Sequence, residues 1–212
     1  RADMLFNQKS LFINSFQGSV ADGKINGSGR AQYESPQSIP VQIDGHMKEV
    51  SINFPEGYFT KGSAQFSLSG QKFPYLFKID YNVEHANIVS EFGGGSKDAE
   101  VRKSPYLPPS IAKATNEPFR MDLNLNFLSP IKISNSLLDA SIKGDLRIEG
   151  DAQALVFSGG LTPIPGGTVF FRDVPFEITT GYIQYDNVAP DNAKLYLAAT
   201  ARVGEVTASQ DK

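Results

Sequence analysis

The sequence predicts an all-β protein. Residues of alternating polarity recur along most of the chain, as expected when successive strand side chains point to opposite faces. Turn-forming residues interrupt the alternation at intervals of about 8 to 12 residues. Convincing helical periodicity is nearly absent: only Pro108–Ala114 could form a turn or two, with its prolines near the first helical position. Together these signals predict about 14 to 16 strands.

The strands are legible in order. Phe73, Tyr75, Phe77, Ile79, Tyr81 and Val83 share one face of a strand. Met121, Leu123, Leu125 and Phe127 share another, with Asp122, Asn124 and Asn126 opposite. Leu138, Ala140, Ile142, Gly144, Leu146 and Ile148 repeat the pattern, as do Leu195, Leu197, Ala199, Ala201 and Val203. One dry and one wet face is the mark of antiparallel or meandering sheets, since buried parallel strands read as solid apolar runs. Asp22-Gly23, Asp44-Gly45, Pro55-Glu56-Gly57, Gly159-Gly160, Pro165-Gly166-Gly167 and Asp186-Asn187 supply the expected reversals.

Between the two strand-rich parts, residues 93–118 are filled with Gly, Pro and charge. They read as a mobile excursion, with a lid or docking loop as the alternative. A weak repeat accompanies the strands: Gly62–Gly70 and Ser141–Gly150 are each an alternating segment closed by Gly and followed by another strand, and Ile25–Tyr33 is a looser third copy. Both ends look cut from a longer protein.

Composition excludes more than it selects. The chain has 212 residues, a net charge of −3, 15 Phe and 8 Tyr, but no Cys and no Trp. Its pI near 5.4 and lack of a basic block argue against nucleic acid or an anionic membrane surface. No apolar run reaches the roughly 18 to 20 residues of a membrane helix. Thiol chemistry is impossible. His46 and His85 stand far apart without companion ligands, so no metal site is expected. Ser158 lacks the glycine frame of a hydrolase nucleophile. Asp145 and Glu149 lie on the wet face of their strand and read as solvated charges. No catalytic residue and no cofactor are expected, and the chain reads as a non-enzyme. What remains is the dry face, which must be covered by barrel closure, by a second sheet, or by an apolar guest.

The C-terminal half adds a family resemblance. Gly144-Asp-Leu-Arg-Ile-Glu-Gly150, Leu155-Val-Phe-Ser-Gly-Gly-Leu161 and Gly166–Tyr185 resemble the TamB family of the AsmA-like group, with Phe176, Ile178, Gly181, Ile183 and Tyr185 in the places of its F-x-I-x-x-G-x-I-x-F pattern. The likeness spans about residues 119 to 203, and Leu11–Gly29 is similar to an AsmA-type repeat. Ala154 stands where proline is frequent, and Asn192-Ala193-Lys194 lengthens the last gap.

The resemblance implies an elongated, curled, meandering sheet forming an open half-pipe, a β-taco, with an apolar groove. Residues 1–92 and 119–212 would be two parts of one continuous groove and 93–118 a loop between them. The expected lining is Phe73, Tyr75, Phe77, Ile79, Met121, Leu123, Leu125, Phe127, Leu146, Ile148, Leu155, Phe157, Phe176 and Ile178. About 15 strands at 4.8 Å spacing predict a groove of roughly 65 to 70 Å. The resemblance further implies a segment of an inner-membrane-anchored protein in a Gram-negative periplasm that shields phospholipid acyl chains between the membranes, with an outer-membrane barrel of the TamA/BamA type as partner. Two other readings are a chaperone-like factor in outer-membrane protein assembly that works by strand addition, and a structural β-sandwich with a sealed core.

Overall fold

A computed structural model describes residues 1–53, 56–91, 118–151, 154–172 and 174–201. The 93–118 excursion, apart from Pro118, lies outside the described residues, as do the end of the Leu195–Val203 alternation beyond Ala201 and the Pro108–Ala114 turn.

The described chain forms one curved sheet of 13 strands. In order they are β1 (Ala2–Asn7), β2 (Ser10–Val20), β3 (Gly23–Gln32), β4 (Val41–Asn53), β5 (Tyr58–Gly70), β6 (Tyr75–Ile88), β7 (Phe119–Phe127), β8 (Ile131–Ser134), β9 (Leu138–Gly150), β10 (Leu155–Pro163), β11 (Thr168–Phe171), β12 (Val174–Val188) and β13 (Lys194–Thr200). A single 3-10 turn, Pro190–Asn192, precedes β13. Among the described residues no helix is long and apolar enough to cross a membrane.

The strand path shortens the expected groove. β7 and β8 both sit between β6 and β9, end to end, because Ser129-Pro130 breaks one strand in two. β10 and β11 likewise share the place between β9 and β12. The 13 strands therefore occupy eleven positions, and the sheet spans about 48 Å rather than 65 to 70 Å.

Neighbours pair antiparallel except at one seam. β6 runs parallel to β7 over Tyr75–Val83 and Phe119–Phe127, and to β8 over Ala86–Ile88 and Ile131–Ile133. Parallel pairing is slightly weaker per residue than antiparallel, and here the polar face reinforces it. Asn124 donates to Asp80 Oδ1 at 2.6 Å and Asn126 to Asn82 Oδ1 at 3.2 Å. Arg147 on β9 grips Asp122 through two hydrogen bonds, of 2.9 and 3.2 Å, while Lys78 lies 3.8 Å from the same carboxylate. Asp122 is the one buried charged residue described. Its carboxyl is held below the ordinary aspartate range, chiefly by the Arg147 hydrogen bonds. Arg147 also meets Glu149 at 3.1 Å, so Glu149 is an ion-pair partner and not simply a solvated charge.

Several turn signals resolve differently. Asp22-Gly23 is a true reversal, with Ala21 and Asp22 at φ 45° and 64°, and Glu56-Gly57 and Pro165–Gly167 also fall between strands, while Pro55 lies outside the described residues. Asp44-Gly45, Gly159-Gly160 and Asp186-Asn187 lie inside β4, β10 and β12. At Gly45 the reason is packing: a Cβ there would come within 2.5 Å of Cζ of Phe66, whose ring rests on the glycine backbone. Phe73 departs too. β6 begins at Tyr75, since Pro74 has no N–H for the ladder; Phe73 lies off the strand, 53% exposed, with its ring edge-on to Tyr75 at 4.7 Å. The Gly62–Gly70 and Ser141–Gly150 copies are the main lengths of β5 and β9, each a 13-residue strand that ends at its closing glycine.

Candidate functional site

The strand registers assemble the dry faces into rows that run across the sheet. One row is Ile13, Gly29, Ile43, Leu68, Phe77, Met121, Gly150 and Leu155, one residue from each of β2–β7, β9 and β10. The next is Phe16, Gly27, Gly45, Phe66, Ile79, Leu123, Ile148 and Phe157. A third is Gly18, Ile25, Met47, Ala64, Tyr81, Leu125, Leu146 and Gly159. No position in the three rows is charged. Seven inter-strand steps give each row a length of about 34 Å.

Exposure divides this face in two. Every member of the first two rows is half-buried, neither sealed nor free. From Ala64 and Tyr81 of the third row a closed cluster continues through Val83, Ala86, Ile131, Ile133 and Ile142, with Val83 at 0% exposure. In a single sheet such burial comes from the sheet curling toward its own apolar side. All the described strands belong to this one sheet, so among the described residues no second sheet packs on the first two rows.

Aromatic rings shape the surface. Phe16 and Phe66 approach the cross-strand glycine pair Gly27 and Gly45 from the two flanking strands, filling what would otherwise be a notch. Tyr75 and Tyr81 of β6 reach further and are tethered: their hydroxyls donate to the carbonyls of Ile39 at 2.8 Å and Val50 at 3.3 Å. Burial pushes the hydroxyl pKa of both tyrosines up, as it does for Tyr185.

Of the residues read from sequence as lining, nine lie in these rows: Phe77, Ile79, Met121, Leu123, Leu125, Leu146, Ile148, Leu155 and Phe157. Phe127 stands beside Val83 at the margin of the closed cluster. Tyr75, at 5% exposure, and Ile178, at 1%, are shut off from the surface, and Phe176 lies on β12 opposite Val169. Sequence reasoning missed Ile13, Phe16, Ile43, Phe66 and Leu68. The alternating Gly62–Gly70 segment held Phe66 and Leu68, whereas a bulge between Ile13 and Phe16 breaks the period of β2 and Gly45 interrupts the apolar face that Ile43 shares. His46 and His85 are exposed strand residues, and no group of three or more potential metal ligands occurs among the described residues.

A search of curated proteins and a search of solved structures return no match. The family model described as "TamB C-terminal domain" matches residues 14–212. That match takes in the N-terminal strands, where the sequence likeness was confined to Leu11–Gly29. With nearly the whole chain covered and an all-β curved sheet as its fold, the chain belongs to the TamB family of translocation and assembly proteins, through its C-terminal domain.

Proposed function

We propose that this chain shields acyl chains on its apolar face and so conducts phospholipid between the inner and outer membranes across a periplasm. The observation that carries the reading is the pair of uncharged rows, half-buried at all 16 positions, with no second sheet packed on them among the described residues. Each methylene moved from water onto such a surface gains about 0.8 kcal/mol. With no fixed polar group in either row, a chain can slide without breaking hydrogen bonds. Headgroups stay in water at the open side. In this reading the full protein is anchored in the inner membrane and hands lipid toward an outer-membrane barrel partner of the TamA/BamA type.

Photo-crosslinking tests this in cells. A photoreactive residue at Phe77 or Leu125 should capture lipid, and one at Asn124, on the opposite face, should not. Capture from Asn124 alone would sink the proposal.

A second reading rests on a different observation. All six residues of β1 are exposed, including Met4 at 56%, Leu5 at 59% and Phe6 at 76%, and among the described residues its outer edge is unpaired. Such an edge can accept a strand from a client protein. Crosslinks from β1 to unfolded outer-membrane proteins, undiminished by a charge placed in the rows, would favour it.

A further inference from the structure

On the polar face, at the rim where β4 ends and β5 begins, the ladder gathers basic side chains. Lys61 of β5 is directly opposite His85 of β6, and Asn87, two residues on, is opposite Lys132 of β8. Directly paired residues hold their Cβ atoms about 4.5 to 5.5 Å apart and diagonal ones about 7 to 8 Å, so the three basic groups share one patch. They border a cavity of about 680 Å³, whose lining also includes Asn53, Asn87 and Phe59. Asp22 is the one carboxylate in that lining, and it pairs with none of the three. None of the three basic side chains has a hydrogen-bond or ion-pair partner among the described residues.

Lys61 faces His85 and Lys132 faces Asn87 with no acid in either pair, although a chain of net charge −3 could have placed acids beside them. The Asp122–Arg147 clamp, farther along the same face, does pair its basic group with an acid. This patch is left open, cationic and concave. We infer that it binds an oxyanion of the phosphate class, with Lys61 and Lys132 as point charges and the His85 and Asn87 N–H groups completing the donor set. Phe59 and Pro130 at its edge suit a phosphate that carries an apolar group. The site lies on the face opposite the three rows, and the inference stands without the acyl-chain reading.

The test uses the whole chain with two probes, inorganic phosphate and dihexanoyl phosphatidylglycerol, followed by backbone-amide NMR. Saturable shifts are expected at Lys61, His85 and Lys132. The double variant Lys61→Gln/Lys132→Gln should bind about tenfold more weakly, and added salt should weaken the native chain's binding. The charge-matched control Lys9→Gln/Lys72→Gln, at the opposite rim, should bind as the native chain does. Equal affinity for the two probes assigns free phosphate as the source, and tighter binding of the lipid assigns a headgroup. The inference is overturned by equal weakening in the control, by saturable shifts that miss these three residues, or by no saturable shift with either probe. Shifts of the lipid probe at Met121 and Phe77 report the apolar rows separately, so one reading can fail without the other.

Discussion

Met121→Arg should leave the sheet folded and reduce capture of acyl chains about a hundredfold. Met121 is the β7 member of the first apolar row, half-buried, and outside the closed cluster around Val83. A longer side chain there can turn its charged end to water, so the fold should tolerate the change. A passing acyl chain cannot tolerate it. Keeping three or four methylenes off the surface forfeits about 2.4 to 3.2 kcal/mol, and each 1.4 kcal/mol is about tenfold in binding. Fluorescent fatty-acid binding measures the loss, and the circular dichroism of the variant reports the fold. The matched change Asn126→Arg on the polar face should have little effect. Equal loss in both variants would contradict assignment of the rows as the path.

The largest expected effect on stability belongs to the parallel seam. Arg147→Ala removes both hydrogen bonds to Asp122 and leaves a carboxylate, 10% exposed at the side chain, with only Lys78 at 3.8 Å. Arg147 itself is 48% exposed, so water replaces part of the lost interaction, and a cost of about 2 kcal/mol is expected. For a chain of this size that lowers Tm by about 4 to 8 °C. The reverse change, Asp122→Ala, should cost less, because the half-exposed guanidinium it leaves behind can be hydrated. The effect carries a pH signature. The folded-state pKa of Asp122 is depressed, so its contribution is fully present above the ordinary aspartate value of about 3.9 and is lost as pH falls through the depressed one. Native and Arg147→Ala stabilities should therefore differ most near neutrality and converge in acid. A constant difference across that range would show that Arg147 acts by packing alone.

The sequence was most legible where side chains alternate without interruption. β7 is the clearest case: Met121, Leu123, Leu125 and Phe127 lie on the dry side, while Asp122, Asn124 and Asn126 stand on the polar side. Alternation was less legible where glycine takes a dry position. In β4, Ile43, Gly45 and Met47 form one face, yet Asp44-Gly45 carries a turn signal; the strand persists because the Phe66 ring supplies the missing apolar surface from the next strand. Strand direction was not legible either. A half-buried strand alternates in the same way whether its neighbour is parallel or antiparallel, so nothing local to Tyr75–Val83 marks the parallel pairing with β7. The pairing partners of Asp122 were hidden for a related reason: Lys78 and Arg147 are remote in sequence and meet it only through the register of three strands. The division of the apolar face was beyond periodicity as well. Phe77 and Ile178 occupy equivalent places in alternating patterns, but curvature leaves the first half-exposed and the second at 1%.

Whether the apolar rows are covered by lipid is decided most directly by native mass spectrometry of the chain purified without detergent. Lipid cover predicts adducts at phospholipid masses on the native chain, retained in Asn126→Arg and lost in Met121→Arg. A native chain that flies free of any apolar adduct, or that covers the same rows by pairing with a second copy, would contradict it.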